Sequence, residues 1–204
     1  GWPLSESHST GGSFLYHFDK CLIALGLIVD LNYTNPYLDP FKELQRYKTH
    51  PTIKTILEGG RRLAYGARTI TKGGLNSLPT MSMPGALLIG CDAGTLNFAK
   101  IKGTHTAMKS GMIAAEAVFS ALAVEPTPLE ISTYAELIQQ SWLWSELKTV
   151  RNIRPSFRWG LWGGIAYSAI DTYLLRGKAP WTLRNHADHT RLHKVTQSKK
   201  IKTR

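Results

Sequence analysis

Alternating and helical runs of apolar residues divide the chain into recognisable pieces. Ser13–Phe18 alternates Phe14, Tyr16 and Phe18 on one side with Leu15 and His17 on the other; after the turn-like Asp19-Lys20, Leu22–Val29 is almost wholly apolar. The pair predicts an antiparallel hairpin whose second strand is buried on both faces. Asp39-Pro40 predicts an N-cap with Pro at the first helical position, and Phe41, Leu44 and Tyr47 mark the inward stripe of that helix. Pro51 is expected to end it, and Ile53, Ile56 and Leu57 to face inward from a short second helix stopped by Gly59-Gly60. Arg62–Thr69 reads as a further strand, and Gly73-Gly74 and Pro79 as loop punctuation.

The run from Ala86 to Ile89, bounded by glycine, predicts a buried strand of an α/β sheet, with a crossover from Gly90 to Gly94 leading to a helix that opens on Gly103-Thr104 and reaches about Leu122. Ala107, Gly111, Ala114 and Ala115 would leave one flank of that helix nearly free of side chains. Pro126-Thr-Pro128 interrupts the chain, and Tyr134, Leu137, Ile138, Ser141, Trp144 and Leu147 recur at helical spacing as core positions up to Arg151-Asn-Ile-Arg-Pro155. Trp159–Leu175 predicts a last helix. At 1.5 Å per residue it is about 26 Å long, short of the ~30 Å hydrocarbon layer, and it contains Asp171, so a membrane span is not expected. Ser168, Asp171 and Thr172 share a polar stripe, whereas Leu161, Trp162, Ile165, Ala169 and Tyr173 occupy the rest. Arg154 and Arg158 precede this helix, Arg176 and Lys178 follow it, and Trp159, Trp162 and Trp181 lie near its ends. Cations and amphipathic aromatics so placed suit a helix lying in a membrane surface.

Composition narrows the function. The 204 residues are 43% hydrophobic, enough for a sizeable core. The net charge of +11 is concentrated at the end: from Lys178 to Arg204 eight Lys or Arg face the single Asp188, leaving only +4 for the rest. Trp181 is the sole aromatic residue there, so the base-stacking pattern of a nucleic-acid module is missing and no nucleic-acid partner is expected. A solvated tail, or one held to anionic lipid or to another domain, is the reading. Cys21 and Cys91 lack CxxC partners; they are expected to be buried thiols and not to build a zinc or iron–sulfur site. The chain starts on Gly1 and has Met81 as its first methionine, so it need not be complete, and the absence of a leader-like segment says nothing about its compartment.

Two stretches carry candidate chemistry. Gly11-Gly12 is a turn or a place where backbone meets a ligand that any Cβ would displace. In the second, Asp92 stands just past the apolar run, and the helix opening on Gly103-Thr104 directs free backbone N–H groups at whatever occupies the crevice. Neither Gly59-Gly60 nor Gly73-Gly74 has the spacing of a dinucleotide fingerprint. Nothing requires a triad from His8, Ser9 and His17, and no catalytic side chain is assigned.

Gly90-Cys-Asp-Ala-Gly94, followed by Lys100-Ile-Lys-Gly-Thr-His-Thr-Ala-Met-Lys-Ser-Gly111, resembles the C-terminal flavin-binding segment of the electron transfer flavoprotein–ubiquinone oxidoreductases. Gly1-Trp-Pro-Leu4, Gly11-Gly-Ser-Phe-Leu-Tyr-His17, Asn35-Pro-Tyr-Leu38, Leu57-Glu-Gly-Gly60, Ala64-Tyr-Gly-Ala-Arg68 and Gly73-Gly-Leu-Asn-Ser77 resemble the ubiquinone-binding region of the same family, in the same order. The resemblance covers about residues 1 to 185. It implies an α/β (α+β) chain with a ubiquinone-binding region at 1–84, the C-terminal segment of a Rossmann-like FAD domain at 85–125, helices at 126–178 with a monotopic membrane helix at 159–175, and a basic tail at 179–204. It further implies electron passage from reduced electron transfer flavoprotein, through a 4Fe–4S cluster and FAD, to ubiquinone. The membrane helix would admit the quinone's tail without a passage through water.

Position by position, the resemblance places Gly11, Gly12 and Phe14 at the quinone. It sets Asn76 against the flavin ring, Gly90, Asp92 and Gly94 near the ribityl chain, and Gly103 and Thr104 at the ring's carbonyl edge. The membrane contact would fall to Trp159, Leu161, Trp162, Ile165, Ala169 and Tyr173. Cys91 separates Gly90 from Asp92, where related flavoproteins place the acid directly after glycine. The ADP-binding fingerprint and the cysteine ligands of the cluster are not in this chain, so no metal ligand is assigned and the chain alone is expected to be inactive. The implied location is a membrane surface, either the matrix face of the mitochondrial inner membrane or the cytoplasmic face of a bacterial plasma membrane. Two other readings are a related FAD-dependent reductase or hydroxylase of lipid-like substrates, of the geranylgeranyl reductase type, and a non-enzymatic basic membrane-binding module.

Overall fold

The computed structural model describes residues 4–5, 9–198 and 200–201. The Gly1-Trp-Pro words, His8, and Lys199 and 202–204 of the tail lie outside the described residues. The fold is α+β, with small antiparallel sheets among helices, and separates into two compact units, 1–66 with 186–204 and 67–185.

The first unit is built on the hairpin of β1 (Gly11–Phe18) and β2 (Leu22–Val29), in the register Gly11↔Val29 to Phe18↔Leu22. Asp19, at φ 53°, makes the turn. Contrary to expectation, β2 is not buried on both faces: its residues are half-buried, and Ile28 is 46% exposed. Two strands have no second sheet to cover both sides. Cys21 at the turn is likewise exposed.

Helix α1 (Pro40–Lys48) has the expected cap: the Asp39 side chain accepts from the backbone N–H groups of Phe41 and Lys42 at 2.9 and 3.3 Å. Its inward face differs. Phe41 is 64% exposed, and Glu43 and Tyr47 are buried. Glu43 is tolerable inside because Ser5 donates to it through its N–H at 2.8 Å and through its hydroxyl, and Arg46 through its guanidinium at 2.9 Å. Burial alone would raise the Glu43 pKa, but these donors outweigh it and hold the carboxyl below its usual value. Pro51 is the first residue of α2 (Pro51–Leu57) rather than a mere stop, and Gly59 at φ 74° ends that helix as expected. Arg62–Thr69 forms no strand: it is irregular and exposed throughout, with Tyr65 87% exposed, and among the described residues no segment pairs with it.

In the second unit the run expected to be a buried strand is folded back on itself. Pro84-Gly85, with Gly85 at φ 74°, joins β3 (Ser82–Met83) to β4 (Ala86–Leu87), and Gly90 at φ 69° turns the chain into the short helix α3 (Gly90–Ala93). The core is helical: α4 (Thr104–Leu122) presents Ile113, Ala114 and Ala117 to Tyr134 and Ile138 of α5 (Thr133–Gln140) and to Leu143 and Leu147 of α6 (Trp142–Thr149). Ala115 is exposed, so the side-chain-poor flank of α4 faces partly outward. The stripe read as one helix is broken at the extended Ser141 (ψ 161°), which resets its phase from Leu137 and Ser141 to Leu143. The Tyr134 hydroxyl donates to the Leu88 carbonyl at 3.0 Å, and burial pushes its pKa up to about 12.

The last apolar stretch follows α7 (Ile153–Ser156). It comprises α8 (Gly160–Ala169) and a π-helical turn, Ile170–Leu174. Among the described residues no helix is long and apolar enough to cross a membrane.

Candidate functional site

In the first unit, the paired glycines of β1 prove to have different reasons. A Cβ on Gly11 would collide with the Ile28 carbonyl and reach 3.0 Å from Leu4 Cδ1, so cross-strand packing by itself already requires glycine at this exposed position. A Cβ on Gly12 would meet no atom of the described residues within 4 Å. Gly12 therefore leaves a bare strip of backbone that the hairpin itself does not use. Phe14 lies across the strand from Gly26, which must lack a side chain because a Cβ would strike the Phe14 ring, 2.9 Å from Cε2. The ring stands 5.5 Å from Tyr16 and remains 39% exposed, an apolar surface beside Gly12. Sequence reading missed Gly26; its signal was a glycine inside an otherwise apolar strand.

In the second unit, Gly90, Asp92, Gly103 and Thr104 come together where α3 meets the start of α4. The N–H of Gly90 donates to the Ser110 hydroxyl at 2.9 Å, and Ala107 packs 3.4 Å from the Gly90 Cβ position. Gly103 is buried so tightly that a Cβ would collide with Cys91 Sγ and lie 2.9 Å from Leu96 Cδ1. Gly103 also caps α4 without a side chain, so no side-chain oxygen takes the first-turn amides from Thr104 onward. Asp92 is exposed. Burial, and then the charge of Asp92, raise the Cys91 pKa, so its thiol is not an activated nucleophile. Gly94, at φ 99°, closes α3 against Thr71 and Leu78, the residues that flank the turn carrying Asn76.

Asn76 donates both amide hydrogens to backbone carbonyls, those of Arg151 at 2.9 Å and Leu183 at 3.0 Å. Its remaining capacity is that of an acceptor.

A cluster that sequence reading did not assign anchors the start of α4. Glu146 Oε1 accepts from His105 Nε2 and from Asn97 Nδ2, both at 2.7 Å, and lies 3.3 Å from Lys100 Nζ, while the His105 ring stacks on Trp142 at 5.8 Å. Burial works to raise the Glu146 pKa, but the hydrogen bonds from His105, Asn97 and Lys100 prevail and lower it. A carboxylate lowered in the fold contributes stability in full above its unfolded value near 4.5, and loses it as pH falls through the lower folded value. Glu146→Gln is therefore expected to flatten the acid limb of a stability–pH profile below about pH 4.5; an unchanged limb in thermal denaturation would count against this cluster as the tether of α4.

The sequence-predicted membrane residues form an exposed apolar surface: Trp162 is 81% exposed, Tyr173 80% and Leu161 61%, with Trp159, Ile165 and Ala169 also exposed. Asp171 beneath them is buried, with Oδ1 lacking a hydrogen-bond partner; burial raises its pKa, and the charge of Arg151 offsets this only in part. Among the described residues no group of three or more His, Cys, Asp or Glu could hold a metal ion.

These features define an α+β chain with a glycine-edged apolar hairpin in one unit and an uncapped helix N-terminus in the other, and comparison with known proteins names the class. Residues 1–70 match the family model described as ETF-QO, ubiquinone-binding. Over 99% of its length the chain is 50% identical to the mitochondrial electron transfer flavoprotein-ubiquinone oxidoreductase of Rattus norvegicus, covering 33% of that protein. It is 53% identical over 98% of its length to the enzyme of that name from Pseudomonas aeruginosa, covering 37% of it, and 54% identical over 93% of its length to that of Arabidopsis thaliana, covering 29%. Over nearly its whole length the chain is similar to electron transfer flavoprotein-ubiquinone oxidoreductases, and its first 70 residues match their ubiquinone-binding family model. It spans about a third of the length of these relatives.

Proposed function

We propose that this chain is the quinone-binding and flavin-ring portion of an oxidoreductase that passes electrons from reduced electron transfer flavoprotein to ubiquinone. The observation that carries this reading is the identity of 50% or more with enzymes of that name, which runs through both units and not only the 1–70 segment. In this reading 1–84 is the ubiquinone-binding region, 85–125 the end of an FAD domain, 126–178 a helical region with its membrane-surface helix, and 179–204 a basic tail. The ADP half of FAD and the ligands of an iron–sulfur cluster belong to sequence outside this chain.

The residues present fit a flavin ring. The uncapped first turn of α4, which follows the tightly packed Gly103, offers amides without a side-chain acceptor. FAD when bound supplies the redox chemistry, receiving electrons and delivering them to the quinone. The protein's part is positioning. Amides from Thr104 onward, at the positive end of α4, would hold a carbonyl edge of the ring and favour negative charge there. Asn76, acceptor-only in this setting, suits a ring N–H and not a ring carbonyl, and exposed Asp92 accepts from ribityl hydroxyls. Gly12 gives the quinone headgroup backbone contact, and Phe14 supplies an apolar wall.

The exposed Trp159, Leu161, Trp162, Ile165, Ala169 and Tyr173 dock the protein on a bilayer, where ubiquinone dissolves, without spanning it. The mitochondrial and bacterial names of the relatives support an inner-membrane or plasma-membrane location. The test is anaerobic reduction of a short-chain ubiquinone by the full-length protein with electron transfer flavoprotein as donor. Turnover with a flavin absorbance band is expected; a protein with flavin but no quinone reduction would favour the related lipid-directed flavin reductases instead.

A further inference from the structure

The stretch after the apolar helix, 177–185, is not a loose start to a basic tail. Arg151 alone grips it at four points: Nη1 donates to the Gly177 carbonyl at 2.9 Å, Nη2 to those of Ala179 and Trp181 at 2.6 and 3.3 Å, and Nε to the Thr182 hydroxyl at 3.1 Å. The neighbouring Asn152, fully buried, donates to the Trp181 carbonyl at 3.1 Å and accepts from the Leu183 N–H at 2.8 Å. Asn185 closes the strap by donating to the Gly73 carbonyl at 3.1 Å and the Ser77 hydroxyl at 2.7 Å, on either side of Asn76. Between these anchors lies a pocket of about 340 Å³ lined by Asn76, Thr182, Leu183, Arg184 and Asn185.

The hydrogen-bond inventory of this pocket is unusually determined. Both hydrogens of the Asn76 amide are held by the Arg151 and Leu183 carbonyls, and the Asn185 amide nitrogen by Gly73 and Ser77, so each asparagine presents its carbonyl oxygen as an acceptor. The Thr182 hydroxyl already accepts from Arg151, which leaves its own hydrogen to donate. Arg184 is exposed, and its guanidinium pairs with no carboxylate among the described residues. The pocket therefore offers acceptors together with a donor and a cation. A quinone headgroup, which brings only acceptors, would leave the amide oxygens unmatched. An imide, with an N–H flanked by two carbonyls, matches both kinds of group, and the guanidinium suits the negative charge that such a ring acquires on reduction.

We infer that the strap Thr182–Asn185 is a wall of the flavin-ring site, in which Asn76 accepts from the ring's imide N–H and Thr182 and Arg184 donate to its flanking carbonyl. The inference rests on the flavin reading above and adds residues that the sequence had left in the tail. Arg151 acts as a positioning residue, since its guanidinium is spent on the strap and on the Lys148 carbonyl at 2.8 Å and does not line the pocket.

The experiment is spectroelectrochemical titration of the flavin in the full-length protein carrying Arg184→Gln, Arg184→Lys or Thr182→Val. Arg184→Gln removes a cation that favours the reduced ring. It is expected to weaken the hold on reduced relative to oxidised flavin about tenfold, which lowers a two-electron midpoint potential by about 30 mV. Arg184→Lys should restore most of the shift, and Thr182→Val should move the potential in the same direction. Because Arg184 is exposed, its variants should fold as the parent does; Thr182→Val also removes an Arg151 anchor, so its thermal stability is measured alongside the potential. A protein that carries flavin and reduces ubiquinone, but whose potential none of the three variants moves, would overturn the strap as a flavin wall and leave the flavin reading standing. A full-length protein that holds no flavin would overturn both.

Discussion

Replacing Trp162 and Ile165 together by glutamate is expected to lower partition of the protein onto phospholipid vesicles by at least a hundredfold. Both side chains are presented to solvent, Trp162 at 81% and Ile165 at 46%, and along α8 and the following π-helical turn Leu161, Ile170, Tyr173 and Leu174 are exposed as well. Such a surface is larger than a lone exposed leucine and demands an apolar counterpart. Full burial of a large apolar side chain is worth roughly 1.5–3 kcal/mol, so losing two removes about 3 kcal/mol or more before the cost of placing carboxylates at the interface. Every 1.4 kcal/mol is about tenfold in affinity. The basic tail offers a competing account, and salt separates the two. At roughly 1 M ionic strength a solvated tail is screened within about 3 Å, whereas apolar insertion persists. Co-sedimentation that survives high salt and fails in the double variant supports docking by the helix. Binding that vanishes with salt and ignores Trp162 would assign it to Lys178–Arg204.

The second large effect concerns the strap. Gly177→Ala is expected to destabilise the 67–185 unit by about 3 kcal/mol. Gly177 has φ 70°, where a side chain costs about 1–2 kcal/mol, and its Cβ would collide with the Thr149 carbonyl and lie 2.8 Å from Thr149 Cα, a contact with main chain that cannot rotate away. The residue cannot shift freely either. Its N–H donates to the Asp171 carbonyl at 2.8 Å and its carbonyl accepts from Arg151. A change in denaturant midpoint within error of wild type would show that the strap is not held as described.

What could be read from the sequence was local. The Asp39-Pro40 cap, the Asp19-Lys20 turn and the start of α4 at Gly103 depend on a few adjacent residues, and each lies where spacing placed it. What could not be read depended on partners distant along the chain. Glu43 looks like a surface residue until Ser5, 38 positions earlier, supplies its donors. Ala86–Ile89 has the composition of a buried strand, yet Pro84-Gly85 folds it onto Ser82-Met83 and no parallel neighbour takes it up. Arg62–Thr69 failed for the same reason. In the candidate site, Gly11 and Gly12 were indistinguishable on paper; only the Ile28 carbonyl across the hairpin separates a packing glycine from one that leaves open space. Arg151-Asn152 read as a helix end, although their side chains hold backbone 26 to 31 positions further along the chain.

That difference between the two glycines gives the most direct test of the central claim, that the hairpin is where ubiquinone is reduced. In Gly12→Val the added side chain enters open space on a strand that favours β-branched residues, so the fold should be kept while the bare backbone strip is covered. Stopped-flow measurement on the full-length protein should show flavin reduction by electron transfer flavoprotein at the parent rate and reoxidation by short-chain ubiquinone slowed roughly a hundredfold, the scale of a reactant displaced by about 1 Å. Reoxidation at the parent rate in a folded Gly12→Val protein would contradict the account.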